Sequence, residues 1–430
     1  MKTIKGTRRR FLVTSVLASA PIVLPSRLFG EQAPSKQITL GFIGMGLQGM
    51  QRNLGNFLSQ KDAKVLAVCD VLKSRAEAAK KKVDAKYDTH DCAAYQDFRE
   101  LLQRDDLDAI VISTPDHWHV PLSMAALAAG KDVFCEKPTL TIAEGRMLQQ
   151  EVDRREAVFQ WGIEDRSLIR YHRLAGWVRD GHIGELETIH VGLPGKQPFK
   201  KDEVAPVPEG LDWNLWLGPA PFHDYTPTRM QPQNWRYIFD YSGGTITDWG
   251  SHIIDTAQIG AFVEDSGPLQ VKGTCRELDP EKWQTNVPVG YELEYEYANG
   301  VRMIAKDGAV DIRFEGSKGW VQCKGWNGKW LTSDPEVMRI SEFSDEAKYW
   351  PLPPIEHRDF LDKIKSRGKP AYHVEAGHRL STTLHLGHLA CATGQTVKWD
   401  PGTGAFTGEH AADHARHPIF KRDARNWEKA

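Results

Sequence analysis

The fold is decided by one stretch near the start of the chain, Ile38-Thr39-Leu40-Gly41-Phe42-Ile43-Gly44-Met45-Gly46-Leu47-Gln48-Gly49. Its first six residues form an apolar run typical of a buried strand, and the remainder has the spacing G-x-G-x-x-G. In this spacing Gly44 makes a tight turn, Gly46 admits a pyrophosphate, and Gly49 lets the next helix lie close to the strand. The sequence therefore predicts a dinucleotide site, with the phosphates on the N-terminus of a helix from Leu47 to Leu58.

An acidic residue follows the second predicted strand. The apolar run Val65–Cys69 ends in Asp70, 21 residues beyond Gly49. An acid at about this distance hydrogen-bonds the ribose hydroxyls of a dinucleotide. Because the Asp70 carboxylate would repel a 2′-phosphate, we predict NAD rather than NADP as the cofactor.

Strands and helices continue to alternate along the chain. The predicted elements are strands Ala109–Ser113 and Asp132–Cys135 and helices Pro121–Ala129 and Ile142–Arg155. Units of this length predict a parallel sheet with helices on both faces, whose ligands bind at the carboxyl ends of the strands. Thr114–His119 and Glu136–Pro138 follow two of these strands, so we expect both segments to face the nicotinamide crevice. His117 and His119 alone offer only two ligands, so no metal is predicted.

The composition narrows the function classes. A chain of 430 residues is long enough for two or three domains. Its 55 basic and 57 acidic residues give a net charge of -2, which argues against binding to nucleic acid or to an anionic membrane surface. The six cysteines are widely separated and include no C-x-x-C pair, which argues against a zinc ribbon, an iron-sulfur site or a disulfide-dense scaffold.

The first residues carry a targeting pattern. Thr7-Arg8-Arg9-Arg10-Phe11-Leu12 matches the twin-arginine export pattern, and the apolar stretch up to Leu24 is too short to span a membrane. Residues 1–36 are therefore predicted to be a signal and linker that direct the protein through the twin-arginine export machinery to the periplasm or another exported location. The alternative is a disordered basic start on a cytoplasmic protein. This route carries folded proteins, so the signal predicts a tightly held cofactor.

Four motifs in order give the rest of the chain a resemblance to the Gfo/Idh/MocA family, named for glucose-fructose oxidoreductase and inositol dehydrogenase. They are the glycine-rich segment, Thr114-Pro115 to His119, Glu136-Lys137-Pro138, and Asp248 to Asp255 after Gly243-Gly244. The resemblance implies an α/β fold, with a Rossmann domain over residues 37–162 and an α+β domain with a large, mostly antiparallel sheet over residues 163–430. One face of that sheet meets the substrate and the other often meets a neighbouring subunit, so a homo-oligomer, either dimer or tetramer, is expected.

The resemblance also implies a catalytic group of Lys137, Asp248 and His252. Lys137 is the leading base or proton shuttle for the oxidation of a secondary alcohol, and His252 is a second candidate acid or base. Asp248 and His252 are four residues apart, so on a helix they share one face. Each residue also has a structural alternative. Lys137 could pair with a phosphate or carboxylate, Asp248 could cap a helix, and His252 could be a core histidine.

Further site residues are expected around this group. The cofactor contacts implied by the motifs and the resemblance are Gly44, Met45, Gly46, Leu47, Asp70, Ser113, Thr114, Pro115, His117, His119, Glu136, Lys137, Arg166, Trp235 and Arg236. The expected substrate contacts are Lys137, Glu164, Asp248, His252 and Asp255. Asp255 could instead complete a helix turn. Glu164 and Asp165 stand where neutral amides are expected in relatives, and they could select a cationic or hydroxyl-rich substrate or simply face solvent.

These residues favour an NAD-dependent oxidoreductase that acts on a CH-OH group of a sugar, sugar acid or cyclitol. Free NAD is scarce outside the cytoplasm, so the cofactor of an exported enzyme would stay bound and be recycled in place. The alternative is a redox-neutral, NAD-dependent glycosidase, lyase or epimerase that works through a transient keto sugar, because the same residues would serve both reactions. A non-catalytic NAD-binding or sugar-binding protein is disfavoured because Lys137, Asp248 and His252 are all present.

Overall fold

A computed structural model gives the fold of the chain after the predicted signal. The structure describes residues 37–231, 233–345, 347, 352 and 355–429. The export signal predicted over residues 1–36 lies outside the described residues. Among the helices of the described part, none combines the length and the apolar character needed to cross a membrane.

Six strands form a parallel sheet in the N-terminal domain. They are β1 (Ile38–Ile43), β2 (Ala63–Cys69), β3 (Ala93–Tyr95), β4 (Ala109–Ile112), β5 (Asp132–Glu136) and β6 (Phe159–Gly162). Their order is β3-β2-β1-β4-β5-β6, and every neighbouring pair is parallel. A strand that is covered on both faces has a continuous apolar sequence. Strand β4 is an example, because all of its residues are apolar and buried. This sheet confirms the predicted Rossmann fold.

Five helices lie between these strands, and the sequence predicted three of them. They are α1 (Leu54–Leu58), α2 (Lys73–Tyr87), α3 (Phe98–Leu102), α4 (His119–Ala128) and α5 (Ile142–Arg155). The single helix predicted from Leu47 to Leu58 is divided, because Gln48–Asn53 is π-helical and α1 follows it. Helix α4 begins before Pro121, which the first turn tolerates because its amides have no helical acceptor. Thr141 and Glu144 form a capping box that starts α5.

Nine strands form the second sheet, and it confirms the predicted mostly antiparallel domain. They are β7 (Leu186–Pro194), β8 (Gln270–Thr274), β9 (Glu292–Glu296), β10 (Arg302–Gly308), β11 (Asp311–Gly316), β12 (Gly319–Lys324), β13 (Lys329–Thr332), β14 (Val397–Asp400) and β15 (Ala405–Thr407). Their order is β13-β12-β11-β7-β10-β9-β8-β14-β15, and β7 with β10 is the parallel pair. In β7 the side chains that point into the core are those of Ile189, Val191 and Leu193. The residues between them are partly exposed, so one face of the sheet is exposed to solvent.

Eight helices follow β6 in the described part of the chain, and only some of them pack on the second sheet. They are α6 (Ile169–Arg179), α7 (Trp213–Leu217), α8 (Pro227–Met230), α9 (Thr245–Asp248), α10 (Gly250–Gly260), α11 (Glu356–Ser366), α12 (Val374–Thr393) and α13 (Ala411–His414). Short 3-10 turns lie at Asp116–Trp118, Asp165–Ser167, Trp235–Tyr237, Pro335–Arg339 and Trp427–Lys429. Helix α12 is mostly buried, and it shares one core with α10 and β8 through Leu384, Ile253 and Val271.

Helix α11 packs on the Rossmann sheet although it lies late in the sequence. Its Phe360 and Leu361 share a buried core with Leu40 and Phe57, and His357 stacks on Phe134 at 5.2 Å between ring centroids. This helix closes the face of the sheet behind the glycine-rich segment.

Candidate active site

A cavity of about 380 Å³ contains most of the predicted site residues. It lies at the carboxyl ends of the parallel strands, where ligands of such sheets bind. The predicted residues that line it are Gly44, Gly46, Leu47, Asp70, Ser113, Thr114, Pro115, His119, Glu136, Lys137, Glu164, Trp235, Arg236, Asp248 and His252. The cavity therefore joins the four sequence motifs, drawn from both domains.

The glycine-rich segment has the geometry of a phosphate cradle. Gly44 has a φ of +91°, and a Cβ built there would lie 2.6 Å from the Ser113 carbonyl oxygen. A Cβ on Gly49 would lie 2.0 Å from the Gly44 carbonyl oxygen, so the backbone crossing leaves no room for a side chain. A Cβ on Gly46 meets no atom within 4 Å, and Gly46 lines the cavity. Gly46 therefore leaves space in which a ligand could approach the backbone.

Polar groups beside the cradle fit a dinucleotide. Asp70 accepts hydrogen bonds from the backbone amides of Met45 (2.7 Å) and Leu72 (2.8 Å), and burial raises the pKa of its carboxyl group. The Thr114 hydroxyl is buried on the cavity wall without a hydrogen-bond partner among the described residues. A bound ribose or phosphate would satisfy such groups, so the residues present fit NAD. Met45 itself contributes its amide, because its side chain is buried in the core and does not line the cavity.

Lys137, Asp248 and Arg236 form a charged network on the cavity wall. Lys137 Nζ lies 2.5 Å from Asp248 Oδ1 and donates a second bond to the Asp248 carbonyl oxygen at 3.0 Å. Arg236 Nε lies 3.2 Å from the other carboxylate oxygen, Oδ2. Burial alone would raise the pKa of Asp248, but the charges of Lys137 and Arg236 outweigh it and lower that pKa. Asp248 is therefore ionised and holds two cations in place.

His252 pairs with Asp165, which lies just after the last strand of the parallel sheet. His252 Nδ1 lies 2.6 Å from Asp165 Oδ2, and Trp326 Nε1 donates to Asp165 Oδ1 at 2.9 Å. The Asp165 side chain is fully buried, and that of His252 is 15% exposed toward the cavity that it lines. Burial and the charge of Lys137 lower the pKa of His252, but the carboxylates of Asp165 and Glu164 together outweigh them, so that the pKa lies above its ordinary value. His252 is therefore neither a core histidine nor a side-chain partner of Asp248.

Glu164 and Glu136 add two more carboxyl groups to the cavity. Glu164 lies 3.3 Å from Arg52, which also pairs with buried Glu356 at 2.8 Å. Glu136 accepts bonds from the side-chain amides of Gln48 (3.1 Å) and Asn53 (2.8 Å). Burial raises the pKa of both cavity carboxyl groups, because it disfavours their ionised forms.

Glu164, Asp165 and His252 are residue types that bind metals, and their ligand atoms lie within 4.8 Å of one another. The His252–Asp165 hydrogen bond and the ion pair of Glu164 with Arg52 account for this proximity without an ion. That the site uses no metal stays a prediction.

Besides Met45, three residues predicted at the site do not line the cavity. His117 is buried with Nε2 3.0 Å from the Trp216 carbonyl oxygen, its ring packs on Tyr241, and burial lowers its pKa to about 3. Arg166 and Asp255, predicted to contact cofactor and substrate, instead form a buried ion pair with nitrogen-oxygen distances of 2.7 and 2.9 Å. A charge buried among apolar residues needs an opposite charge, and each of these two residues supplies the other's partner.

His119 lines the cavity but is held by the backbone. Its Nδ1 lies 2.8 Å from the Pro138 carbonyl oxygen and its Nε2 lies 2.9 Å from the Thr114 carbonyl oxygen. Burial lowers the pKa of His119 to about 4, so a neutral ring donates to one carbonyl at a time. The residue thus links the two segments that follow β4 and β5.

The sequence did not single out Asp116 or Trp326, and it suggested for Asp165 only substrate selection or solvent exposure, whereas Asp165 is buried. Asp116 lines the cavity and accepts a bond from the Ser242 hydroxyl at 2.5 Å, and burial raises its pKa to about 7. It lies inside the segment Thr114–His119, which was a sufficient signal to consider it. Trp326 lies 161 residues from Asp165, and no local pattern connects them.

Comparisons with known proteins agree with this organisation. Residues 38–163 match the sequence model of an oxidoreductase family with an NAD-binding Rossmann fold, and residues 192–426 match that of the C-terminal α/β domain of the same family. The inositol 2-dehydrogenase of Salmonella typhimurium is 31% identical over 156 residues, which are 35% of this chain and 44% of that protein. The α-N-acetylgalactosaminidase of Shewanella oneidensis is 32% identical over 164 residues, 32% of this chain and 35% of that protein. The chain thus spans less than half the length of these curated relatives.

Solved structures share the fold at low sequence identity. The WlbA dehydrogenase of Bordetella pertussis, solved with NADH and UDP-GlcNAcA, has a TM-score of 0.62 and 14% identity, with 84% of this chain and 98% of that chain covered. The aldose-aldose oxidoreductase of Caulobacter crescentus has a TM-score of 0.59 and 17% identity, with 84% of this chain and 99% of that chain covered.

Proposed function

Because the chain belongs to the Gfo/Idh/MocA oxidoreductase family, we propose that it moves a hydride between tightly bound NAD and a secondary hydroxyl of a sugar, sugar acid or cyclitol. One observation carries the proposal. The Lys137–Asp248 ion pair and the open space at Gly46 belong to one cavity. A proton-transferring group and a cofactor cradle in the same cavity are what the oxidation of an alcohol requires.

The proposed roles follow from the contacts. Bound NAD⁺ would accept the hydride from the alcohol carbon. Lys137 Nζ has two of its bonds directed at Asp248, which leaves one position for a substrate hydroxyl, whose proton it would take up or return. Asp248 holds the amine, and Arg236 fixes the second oxygen of that carboxylate.

The substrate class is supported by the relatives and by the polarity of the cavity. One relative is named for inositol, one structural neighbour is named for aldoses, and another was solved with UDP-GlcNAcA. The cavity offers carboxylates and cations at Glu164, Asp248 and Arg236, which suit several hydroxyl groups at once.

The test is to denature the purified protein and assay the supernatant for NAD(H), then to incubate the intact protein with a panel of sugars, sugar acids and cyclitols. We expect near-stoichiometric release of cofactor and formation of a keto product. A protein without NAD that also fails to bind added NAD would contradict the proposal.

A redox-neutral glycosidase is the second candidate. It is supported by the relative named α-N-acetylgalactosaminidase and by His252, whose raised pKa suits an acid that protonates a leaving oxygen. Incubation of a glycoside panel without added NAD distinguishes the two reactions. Release of the aglycone without a net redox change supports the glycosidase, and a keto sugar with reduced cofactor supports the oxidoreductase.

We also propose that the protein is exported with its cofactor bound and recycled in place. Thr7 to Leu12 carry the twin-arginine pattern that supports this. The double variant Arg8→Lys, Arg9→Lys should stay in the cytoplasm. The control Arg10→Lys, which leaves the arginine pair intact, should still be exported. Equal fractionation of all three forms would contradict export by this route.

A homo-oligomer formed through the second sheet is a further proposal. The solvent-exposed face of that sheet carries ion pairs between neighbouring strands, including Lys272 with Glu296 and Arg302 with Glu294. Sedimentation velocity should show a dimer or tetramer, and a monomer at micromolar concentration would contradict it.

A further inference from the structure

We propose that Asp165 is a positioning residue that holds His252 as a proton donor to the substrate, with Trp326 fixing Asp165 in turn. The proton donation to substrate rests on the proposed function, whereas the pairing of Asp165 with His252 does not. The donation requires that the substrate place next to His252 an oxygen atom that gains a proton during the reaction.

The hydrogen-bond pattern fixes which ring nitrogen serves the substrate. An ionised carboxylate only accepts, so Nδ1 of His252 carries the hydrogen that is donated to Asp165 over 2.6 Å. Nε2 has no hydrogen-bond partner among the described residues, and His252 lines the cavity. Nε2 is therefore the atom free to meet a ligand.

Asp165 is itself held on both sides. Trp326 donates to its second oxygen at 2.9 Å, and the Asp165 side chain is fully buried. Asp165 begins a 3-10 turn that follows β6, and Trp326 lies in the turn between β12 and β13. A carboxylate bound at both oxygens and shielded from water cannot rotate away, so it orients the imidazole.

The surrounding charges favour the protonated ring. Asp165 and Glu164 attract the imidazolium, Lys137 repels it, and Asp248 faces it from the end of α9. Since the carboxylates outweigh both burial and Lys137, the pKa of His252 lies above its ordinary value.

The resulting step is balanced. The Nε2–H bond of the imidazolium breaks, and its proton forms an O–H bond on the substrate oxygen. The ring becomes neutral and keeps its Nδ1 hydrogen on Asp165. In the oxidoreductase this oxygen would be that of a second substrate's ketone, reduced by hydride from bound NADH, while Lys137 would take up the proton of the hydroxyl that is oxidised. In the glycosidase it would be the leaving oxygen.

The main test replaces Asp165 by asparagine, which keeps the size of the side chain and removes its charge. We expect kcat to fall roughly 10- to 1000-fold with KM changed by less than about threefold. The pH limb assigned to His252 should move to lower pH. Trp326→Phe, which keeps a ring but loses the N–H, should produce the same changes at a smaller size.

A matched control is Asp240→Asn. Asp240 accepts a hydrogen bond from His223 at 2.8 Å, and neither residue lines the cavity. This variant loses an Asp–His contact of the same kind, so its kcat and pH profile should match those of the unaltered protein.

A second measurement does not depend on turnover. Long-range proton-nitrogen NMR of histidine-labelled protein, with His252→Gln to assign the signals, reports the tautomer and pKa of this ring directly. We expect a pKa above about 6.5, and a lower value in Asp165→Asn. This measurement tests the pairing even if no substrate is turned over or no NAD is released, which are failures of the proposed function alone.

Two results would overturn the inference. One is a His252 that titrates below its ordinary pKa or is unaffected by Asp165→Asn. The other is a stoichiometric divalent ion that is lost in both Asp165→Asn and Glu164→Gln, because the three side chains would then form a metal centre.

Discussion

The two halves of the cavity are built in different ways. The half proposed to hold the cofactor uses backbone groups of one continuous segment, Gly44 to Gly49, together with Asp70. The half proposed to hold the substrate uses charged side chains from several separated segments, among them Lys137, Asp248 and His252. Backbone geometry is encoded by neighbouring residues, whereas a side-chain constellation exists only after the two domains have packed. Substitutions in the two halves should therefore separate cofactor binding from turnover.

The largest effect is expected for Lys137→Met. The variant loses the proton-transferring amine and leaves Asp248 with Arg236 as its cation, so turnover should fall roughly 100- to 10,000-fold. The content of bound NAD(H) should change far less than turnover. Lys64→Met, at an exposed position of β2, is the control for loss of a lysine. Full activity of Lys137→Met would contradict its catalytic role.

Gly46→Val should affect the other half. A side chain there meets no protein atom within 4 Å of its Cβ, so the protein should fold, but the valine would occupy space needed by the phosphates. We expect NAD to bind about 100-fold more weakly, or about 2.7 kcal/mol, as measured by calorimetry. Gly308→Val in β10 is the matched control, because a Cβ there also meets nothing within 4 Å. Unchanged NAD affinity in Gly46→Val would show that the cradle is not the phosphate site.

Asp70→Asn should have a smaller effect on affinity and a specific effect on selectivity. Loss of a charged hydrogen-bond acceptor should weaken NAD binding about tenfold. NADP should bind relatively better because the repulsion of its 2′-phosphate is gone. The ratio of the two dissociation constants measures this directly, and a ratio that does not move would place the ribose away from Asp70.

The smallest effect is expected from Asp116, through the pH dependence of stability. Burial raises its pKa in the folded protein to about 7, so the folded state holds a proton that the unfolded state has lost between about pH 4 and pH 7. This group therefore lowers the free energy of unfolding as the pH rises through that range. Urea titrations at pH 5 and pH 7 measure how far the free energy of unfolding falls between them, and Asp116→Asn should reduce that fall by on the order of 1 kcal/mol. Asp105→Asn, a substitution at an exposed position, is the control and should leave the fall unchanged.

The sequence was sufficient where structure depends on neighbours along the chain. The turn at Gly44, the acid at Asp70 and the bounds of the helix Ile142–Arg155 could all be predicted because spacing, apolar periodicity and caps are local. The parallel order of the first sheet followed from the alternation of strands and helices.

Residues whose role depends on a distant partner could not be predicted. Arg166 and Asp255 each resemble a ligand-binding group in isolation, but 89 positions separate them, and their pairing became visible only in the folded chain. His252 was expected to work with Asp248, four residues away, and its side-chain partner is Asp165. Local spacing identified the correct histidine but not the group that controls its proton.

Helix α11 has a consequence for experiments that divide the chain. A fragment that ends near residue 162 would contain the whole parallel sheet and the glycine-rich segment but would lack Phe360 and Leu361, which cover Leu40 and Phe57. Its truncated surface would be apolar and prone to aggregation. A soluble minimal NAD-binding unit would therefore need to include α11, for instance by linking the sequence of α11 directly after β6.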